Sequence, residues 1–145
     1  MVMVDYGAMP IEDVNKQLRE LPQVDLNEQH LFADGMYCRQ VTMPKGSLVI
    51  GHIHKKEAIN VLASGKILIK TRREDEWEEI SAPFVNSTKG GMRKIIYVLE
   101  DAYFMNIFRT ENTTLDKLYD ECVEEDIGSK PYLQAQEVKK QLGGK

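Results

Sequence analysis

Two of the chain's three histidines, His52 and His54, stand one residue apart in Gly46-Ser-Leu-Val-Ile-Gly-His52-Ile-His54-Lys-Lys-Glu57, a stretch that begins on a turn-like glycine. If residues 47 to 54 run as a strand, alternation places Leu48, Ile50, His52 and His54 on one face. The imidazoles then point where the aliphatics point, toward the interior. Two inward imidazoles supply half of a divalent-metal site, and Glu57 is the carboxylate next to them in sequence. The alternative is a pair of interior histidines hydrogen-bonded to neighbours or water. The third histidine, His30, lies well before this stretch, where a surface or capping role is the default.

The elements that must hold these residues are short and mostly extended. Pro10 can open a helix in which Ile11, Val14, Leu18 and Leu21 make one apolar stripe, and Pro22 stops it. Residues 22 to 34 read as irregular or briefly extended, ending at the Asp34-Gly35 turn; residues 36 to 43 alternate as a strand. After the histidine strand, residues 59 to 63 and 66 to 70 read as a hairpin turned at Ser64-Gly65. Residues 72 to 76 form a charged tip, 77 to 80 resume a strand, and 83 to 86 precede the Lys89-Gly-Gly91 turn. Residues 93 to 99 and 103 to 109 read as two strands parted by a turn at Glu100-Asp101-Ala102. About eight short strands with regular turn signals predict an all-β sandwich or jelly roll. Asn112 or Thr113 can then cap a helix over residues 113 to 125, bearing Leu115, Leu118 and Cys122, which should close one end of the barrel. Residues 132 to 142 are weakly amphipathic.

The His52/His54 stretch resembles the first conserved motif of the cupin superfamily: Gly, five residues, His-x-His, three or four residues, Glu, six residues, Gly. Gly46, His52, His54 and Gly65 fall in register; the motif's acid falls at Ala58, with Glu57 one position early and Asn60 on the inward parity. Ser87-Thr-Lys-Gly-Gly-Met-Arg-Lys94 holds the place of the second motif, with Arg93 or Lys94 where its histidine would stand. Over residues 22 to 110 the chain is similar to small single-cupin proteins encoded by bacteriophages, from His30-Leu-Phe-Ala-Asp-Gly-Met-Tyr through Gly-x-x-His54-Lys. The resemblance implies a single cupin-type jelly-roll β-barrel with flanking N- and C-terminal helices. Its layout would be an N-terminal extension over 1–21, the barrel over 22–110 and a helical extension over 111–145. It also implies one weakly held divalent transition metal, Zn, Mn, Fe or Ni, on His52, His54 and Glu57. A cation from Arg93 or Lys94 on the inside would repel such a metal.

Composition narrows the rest. A net charge of −4 and a pI near 5.4, with no long basic block, argue against a nucleic-acid groove. The N-terminal residues lack a secretory pattern and no run reaches membrane-spanning length, so the expectation is a cytoplasmic protein without membrane contact, in the host cytoplasm or associated with a virion if phage-encoded. Cys38 and Cys122 show no CxxC spacing and are expected as reduced thiols. Three functions follow. The first is a binding module in which Arg39, Arg93, Lys94 and Asn60, beside the histidines, hold a small anion such as a nucleotide-like signal. The second is a structural or accessory protein with a vestigial pocket. The third is a metal-dependent enzyme of the dioxygenase or isomerase type, for which the ligand set is incomplete and no nucleophile–base pair stands out. Open strand edges and the amphipathic first helix predict a homo-oligomer, a dimer.

Overall fold

The computed structural model describes residues 11–51, 54–70, 76–91 and 94–122. In chain order these form α1 (Ile11–Arg19), β1 (Gln29–Ala33), β2 (Met36–Met43), β3 (Leu48–Ile50), β4 (Ala58–Lys70), β5 (Glu78–Ser81), β6 (Phe84–Thr88), β7 (Ile95–Arg109) and α2 (Leu115–Cys122). Strand outweighs helix, as the alternating pattern predicts. All pairings are antiparallel.

Two long strands, β4 and β7, pair with each other over nearly their whole length and carry everything else. On the free edge of β7, β2 pairs from Ala102 to Arg109 and β3 from Ile95 to Tyr97. On the free edge of β4, β6 pairs from Ala58 to Leu62 and β5 from Lys66 to Ile69. The result is a five-stranded sheet, β1-β2-β7-β4-β6, and a four-stranded one, β3-β7-β4-β5, sharing their two central strands. Among the described residues the pairing does not close into a ring.

The sheet bends where β4 shifts register between Leu62 and Ile67, opposite residues 98 to 104 of β7. Gly65 sits at that bend with φ +92°, and a Cβ built there would lie 2.3 Å from the Asp101 carbonyl oxygen. Only glycine lets the two backbones approach so closely. Here the structure corrects the expected hairpin at Ser64-Gly65 and the expected turn at Glu100-Asp101-Ala102. Both are bulges inside continuous strands, because the turn residues change the direction of a chain that keeps its β4–β7 partners on either side. The eight expected strands thus become six, and β1, in the segment expected to be irregular or briefly extended, makes seven.

Val41, Met43, Leu62, Phe104 and Ala102 from the five-stranded sheet meet Ile67, Ile80, Ile96 and Val98 from the other in one apolar core. Val49 packs against it and pairs with Ile96, whereas Leu48 and Ile50 pair with Tyr97 and Ile95 on the opposite face. The inward face of β3 is thus Val49, not Leu48 and Ile50, and the strand ends at Ile50 before it can fix the histidines' orientation. A second cluster joins Tyr37, Ala58 and Phe108 to Leu118 and Cys122, so α2 covers one end of the five-stranded sheet as expected. Its first turn starts from the Thr114 carbonyl, which accepts from Leu118 N–H at 3.1 Å, one or two residues later than the predicted cap. Residues 123–125 of the predicted helix lie outside the described residues. α1 ends near its predicted stop, where the Gln23 side-chain amide donates to the Leu18 and Leu21 carbonyls.

Candidate functional site

Strand register assembles a polar row on the inner face of the five-stranded sheet. His30 of β1 lies opposite Arg39 of β2, Arg39 opposite Asn106 of β7, Asn106 opposite Asn60 of β4, and Asn60 opposite Asn86 of β6. On one side runs the apolar row Val41, Phe104, Leu62 and Phe84; on the other runs Tyr37, Phe108 and Ala58 beneath α2. Asn60 and Asn106 are 2% and 4% exposed, so their amides must find partners within the protein. Asn106 Nδ2 donates to Asn60 Oδ1 at 2.6 Å, and Asn60 Nδ2 donates to Asn86 Oδ1 at 3.0 Å and Thr88 Oγ1 at 3.1 Å. Asn60 is held on both sides.

At the β1 end of the row, Arg39 Nε donates to Glu28 Oε1 at 2.7 Å, and His30 Nε2 lies 3.6 Å from the same oxygen. His30 Nδ1 is 2.7 Å from the Tyr37 hydroxyl, and the two rings stack at 5.9 Å. Tyr37 stacks in turn on Phe108, whose ring meets His54 edge-on at 4.9 Å. Both described histidines therefore flank one aromatic stack. Burial pushes the Tyr37 phenol well above its ordinary value, so it stays a neutral donor or acceptor.

Lys94 enters from the other side of the row. It stands one residue before β7, and its Nζ lies 5.7 Å from the centre of the ring of Phe104, which is one inward position along β7 from Asn106. The residue is 8% exposed, and among the described residues no carboxylate pairs with it. Desolvation pushes its ammonium down to about 8 from 10.5, with the aromatic face as its remaining support. Folding thus disfavours the protonated form. Unfolding free energy should rise as pH climbs from about 8 toward 10.5, where the unfolded chain binds the extra proton. Urea titrations at pH 7.5 and 9.5 test this: the rise is expected in the natural protein and should flatten in Lys94→Met. An equal rise in both would refute the assignment.

α2 is latched over the far end. Glu121 accepts from Lys56 Nζ, from Thr110 Oγ1 at 2.6 Å and from Asn112 Nδ2, while Lys55 N–H donates to the Cys122 carbonyl at 2.7 Å. The Lys56 and Thr110 hydrogen bonds hold the Glu121 carboxyl below its usual range. A depressed carboxyl stabilises the fold above its unfolded value of 4.5, and that contribution is lost as pH falls through the folded value. Glu121→Gln should mimic the acid state at neutral pH. Amide exchange at Leu118 should then quicken severalfold while exchange at Leu62 is unchanged; unaltered Leu118 protection would show that the latch does not hold α2.

The structure brings Arg39, Asn60 and Lys94 of the expected ligand-binding set to one face, with His54 at the aromatic stack above them. His52 and Arg93 lie outside the described residues. Glu57 is exposed, and its neighbour Ala58 takes the inward position. Among the described residues no group of three histidine, cysteine or carboxylate side chains is placed to hold a metal ion. Asn60 Oδ1 already accepts from Asn106, and Lys94 brings a positive charge to the same face. The described donors do not fit a divalent cation. Sequence reasoning missed Asn106, Asn86, Glu28, Tyr37 and the Lys56–Glu121 latch, and gave His30 a surface or capping role by default, whereas the structure half-buries it. One signal was present: Asn60 between Ala58 and Leu62, and Asn106 between Phe104 and Phe108, are polar residues at inward parity in apolar strands.

No protein-family profile matches the chain, and no curated protein is significantly similar to it. Solved structures do resemble it. A Neisseria meningitidis protein aligns at TM-score 0.50 and 9% identity, over 66% of this chain and 96% of that one. A cupin-2 domain protein from Shewanella frigidimarina aligns at 0.49 and 11%, over 72% and 96%. An RmlC-like cupin with a double-stranded β-helix fold from Methanocaldococcus jannaschii aligns at 0.49 and 8%, over 63% and 88%. Such identities speak to fold alone. Among the described residues no helix is long and apolar enough to cross a membrane.

Proposed function

We propose that the chain is a small cupin-type binding protein whose inner face holds a small anionic ligand between Lys94, Arg39 and the asparagine row. The observation that carries this reading is Lys94: an ammonium on the inner face, against Phe104, without a carboxylate among the described residues. An uncompensated buried cation is costly, and an anion arriving beside it recovers that cost as binding energy. Arg39, fixed by Glu28, adds a guanidinium one inward position along, opposite Asn106, and the Asn60–Asn106 pair offers a rigid polar floor. Titration calorimetry with oxalate and with inorganic phosphate tests the reading. At pH 7, Lys94→Met is expected to weaken the tighter of the two by about tenfold or more, in line with a charge-assisted contact of roughly 1.5–3 kcal/mol. Equal affinity in variant and natural protein would sink it.

Assembly has its own support. On the outer face of the five-stranded sheet Leu31, Cys38, Ile107 and Ile59 lie in one cross-strand row, with Met105, Val61 and Val85 in the next. Leu31 is 60% and Val85 63% exposed. The two rows carry no charge to oppose a second copy of themselves, and five strands span about 24 Å, the scale of a standard half-interface. We read this face as the dimer contact. Light scattering at tens of micromolar should give a dimer mass that Ile107→Lys converts to a monomer; a monomer without the substitution would refute it.

A further inference from the structure

We infer that Lys94 is a carbonyl-reactive lysine, whose ε-amine condenses with a small 2-oxo acid drawn to the inner face. The inference rests on the anion-binding reading and names the ligand class.

Three features of the position support it. The side chain lies against an aromatic ring on the inner face, so its nitrogen is held in an apolar setting instead of being fully hydrated. No carboxylate among the described residues fixes it as an ammonium, in contrast to Lys56, which Glu121 holds, and Lys66, which lies 3.9 Å from Glu100. The nitrogen also keeps an opening. Among the described residues, Lys94 Nζ is not one of the side-chain polar atoms both sealed from solvent and unpartnered.

Chemistry follows from the placement. A desolvated amine loses its proton at lower pH, and with its value near 8 about a tenth of Lys94 is neutral at pH 7, against well under a thousandth for an ordinary lysine. The neutral amine's lone pair attacks the carbonyl carbon and the C=O π pair moves to oxygen, giving a carbinolamine after proton transfer from nitrogen to oxygen. The hydroxyl takes up a proton, the nitrogen lone pair expels it as water, and the iminium N–H gives a proton back, leaving a C=N bond. Amine and oxo acid give imine and water, with no change in oxidation state. The oxo acid's carboxylate is the anion that Arg39 and the polar row attract, and it distinguishes this ligand from a neutral aldehyde or ketone.

The test uses the intact protein at pH 7 with sodium cyanoborohydride, which reduces an imine to a stable secondary amine, followed by peptide mapping of all thirteen lysines. Glyoxylate is expected to tag Lys94 about tenfold or more faster than the mean of the others, reflecting its larger neutral fraction. Oxalate, an anion with no reactive carbonyl, should slow that tagging, and Lys94→Arg should bind oxalate while losing the tag. Tagging spread over the lysines by exposure, with oxalate binding intact, would overturn the reactive lysine and leave the anion site standing. Selective tagging by butanal as fast as by glyoxylate, indifferent to oxalate, would keep the reactive lysine but overturn the oxo acid and the anion site beneath it.

Discussion

Gly65→Ala is expected to cost about 3 kcal/mol or more of stability, enough to leave much of a marginally stable domain unfolded. The Cβ would stand 2.3 Å from the Asp101 carbonyl oxygen and 2.7 Å from Ala102 Cα, both backbone atoms of a central strand that cannot rotate aside. A positive φ of +92° adds the strain of a non-glycine residue in that region. Gly46 is the matched control: its φ is +85°, but nothing lies within 4 Å of its Cβ position. Gly46→Ala should therefore lose only about 1–2 kcal/mol, from conformation alone. Urea midpoints for the two variants separate contact from strain. Equal losses would mean that the close crossing of β4 and β7 at the bend is not what demands glycine.

The second large effect is expected in the polar row. Asn60→Ala removes the acceptor of Asn106 Nδ2, leaving that buried donor unsatisfied where water does not reach, at a cost of about 1–3 kcal/mol, while exposed Asn86 and half-buried Thr88 can turn to water. Replacing Asn60 and Asn106 together by leucine removes both ends of the central bond and continues the apolar core beneath it. The double variant should be no less stable than Asn60→Ala, because it orphans fewer buried groups. Its affinity for oxalate should nevertheless fall about tenfold or more, since the floor of the site is gone. The double variant then loses binding without a further loss of stability. Oxalate affinity equal to that of the natural protein in the double-leucine variant would remove the asparagines from the site.

Much of this arrangement was legible. The strand over residues 36 to 43 ends where the alternation of Tyr37, Val41 and Met43 ends, and α1 stops close to Pro22. The Lys94 expectation was conditional, a repelling cation if inward, and the side it takes is given by the contact of its Nζ with the inward Phe104 ring. What failed did so for three separate reasons. Gly65 and Asp101 carry turn composition, but composition reports that the chain changes direction, not whether it reverses; the partner strand decides that. The histidine strand failed differently. Parity counted from Gly46 assumed an unbroken strand to His54, whereas pairing with Ile95, Ile96 and Tyr97 fixes Val49 inward and ends at Ile50. The polar row was legible only in part, for a third reason. Its members are far apart in sequence, and only register brings Arg39, Asn106, Asn60 and Asn86 abreast.

Sharing of β4 and β7 between the two sheets has a kinetic corollary. Met43 meets Ala102, Met36 meets Arg109, and Ala58 begins the strand that spans the bend, so the core forms only after the last long strand has found partners scattered over most of the chain. Loop closure must precede the contacts that reward it, which places the chain among the slow, high-contact-order folders. The same sharing removes independent folding units. Opening β5 or β6 exposes one edge of β4, but breaking β4 from β7 dismantles both sheets at once, so their amides should exchange only through global unfolding, at a common rate.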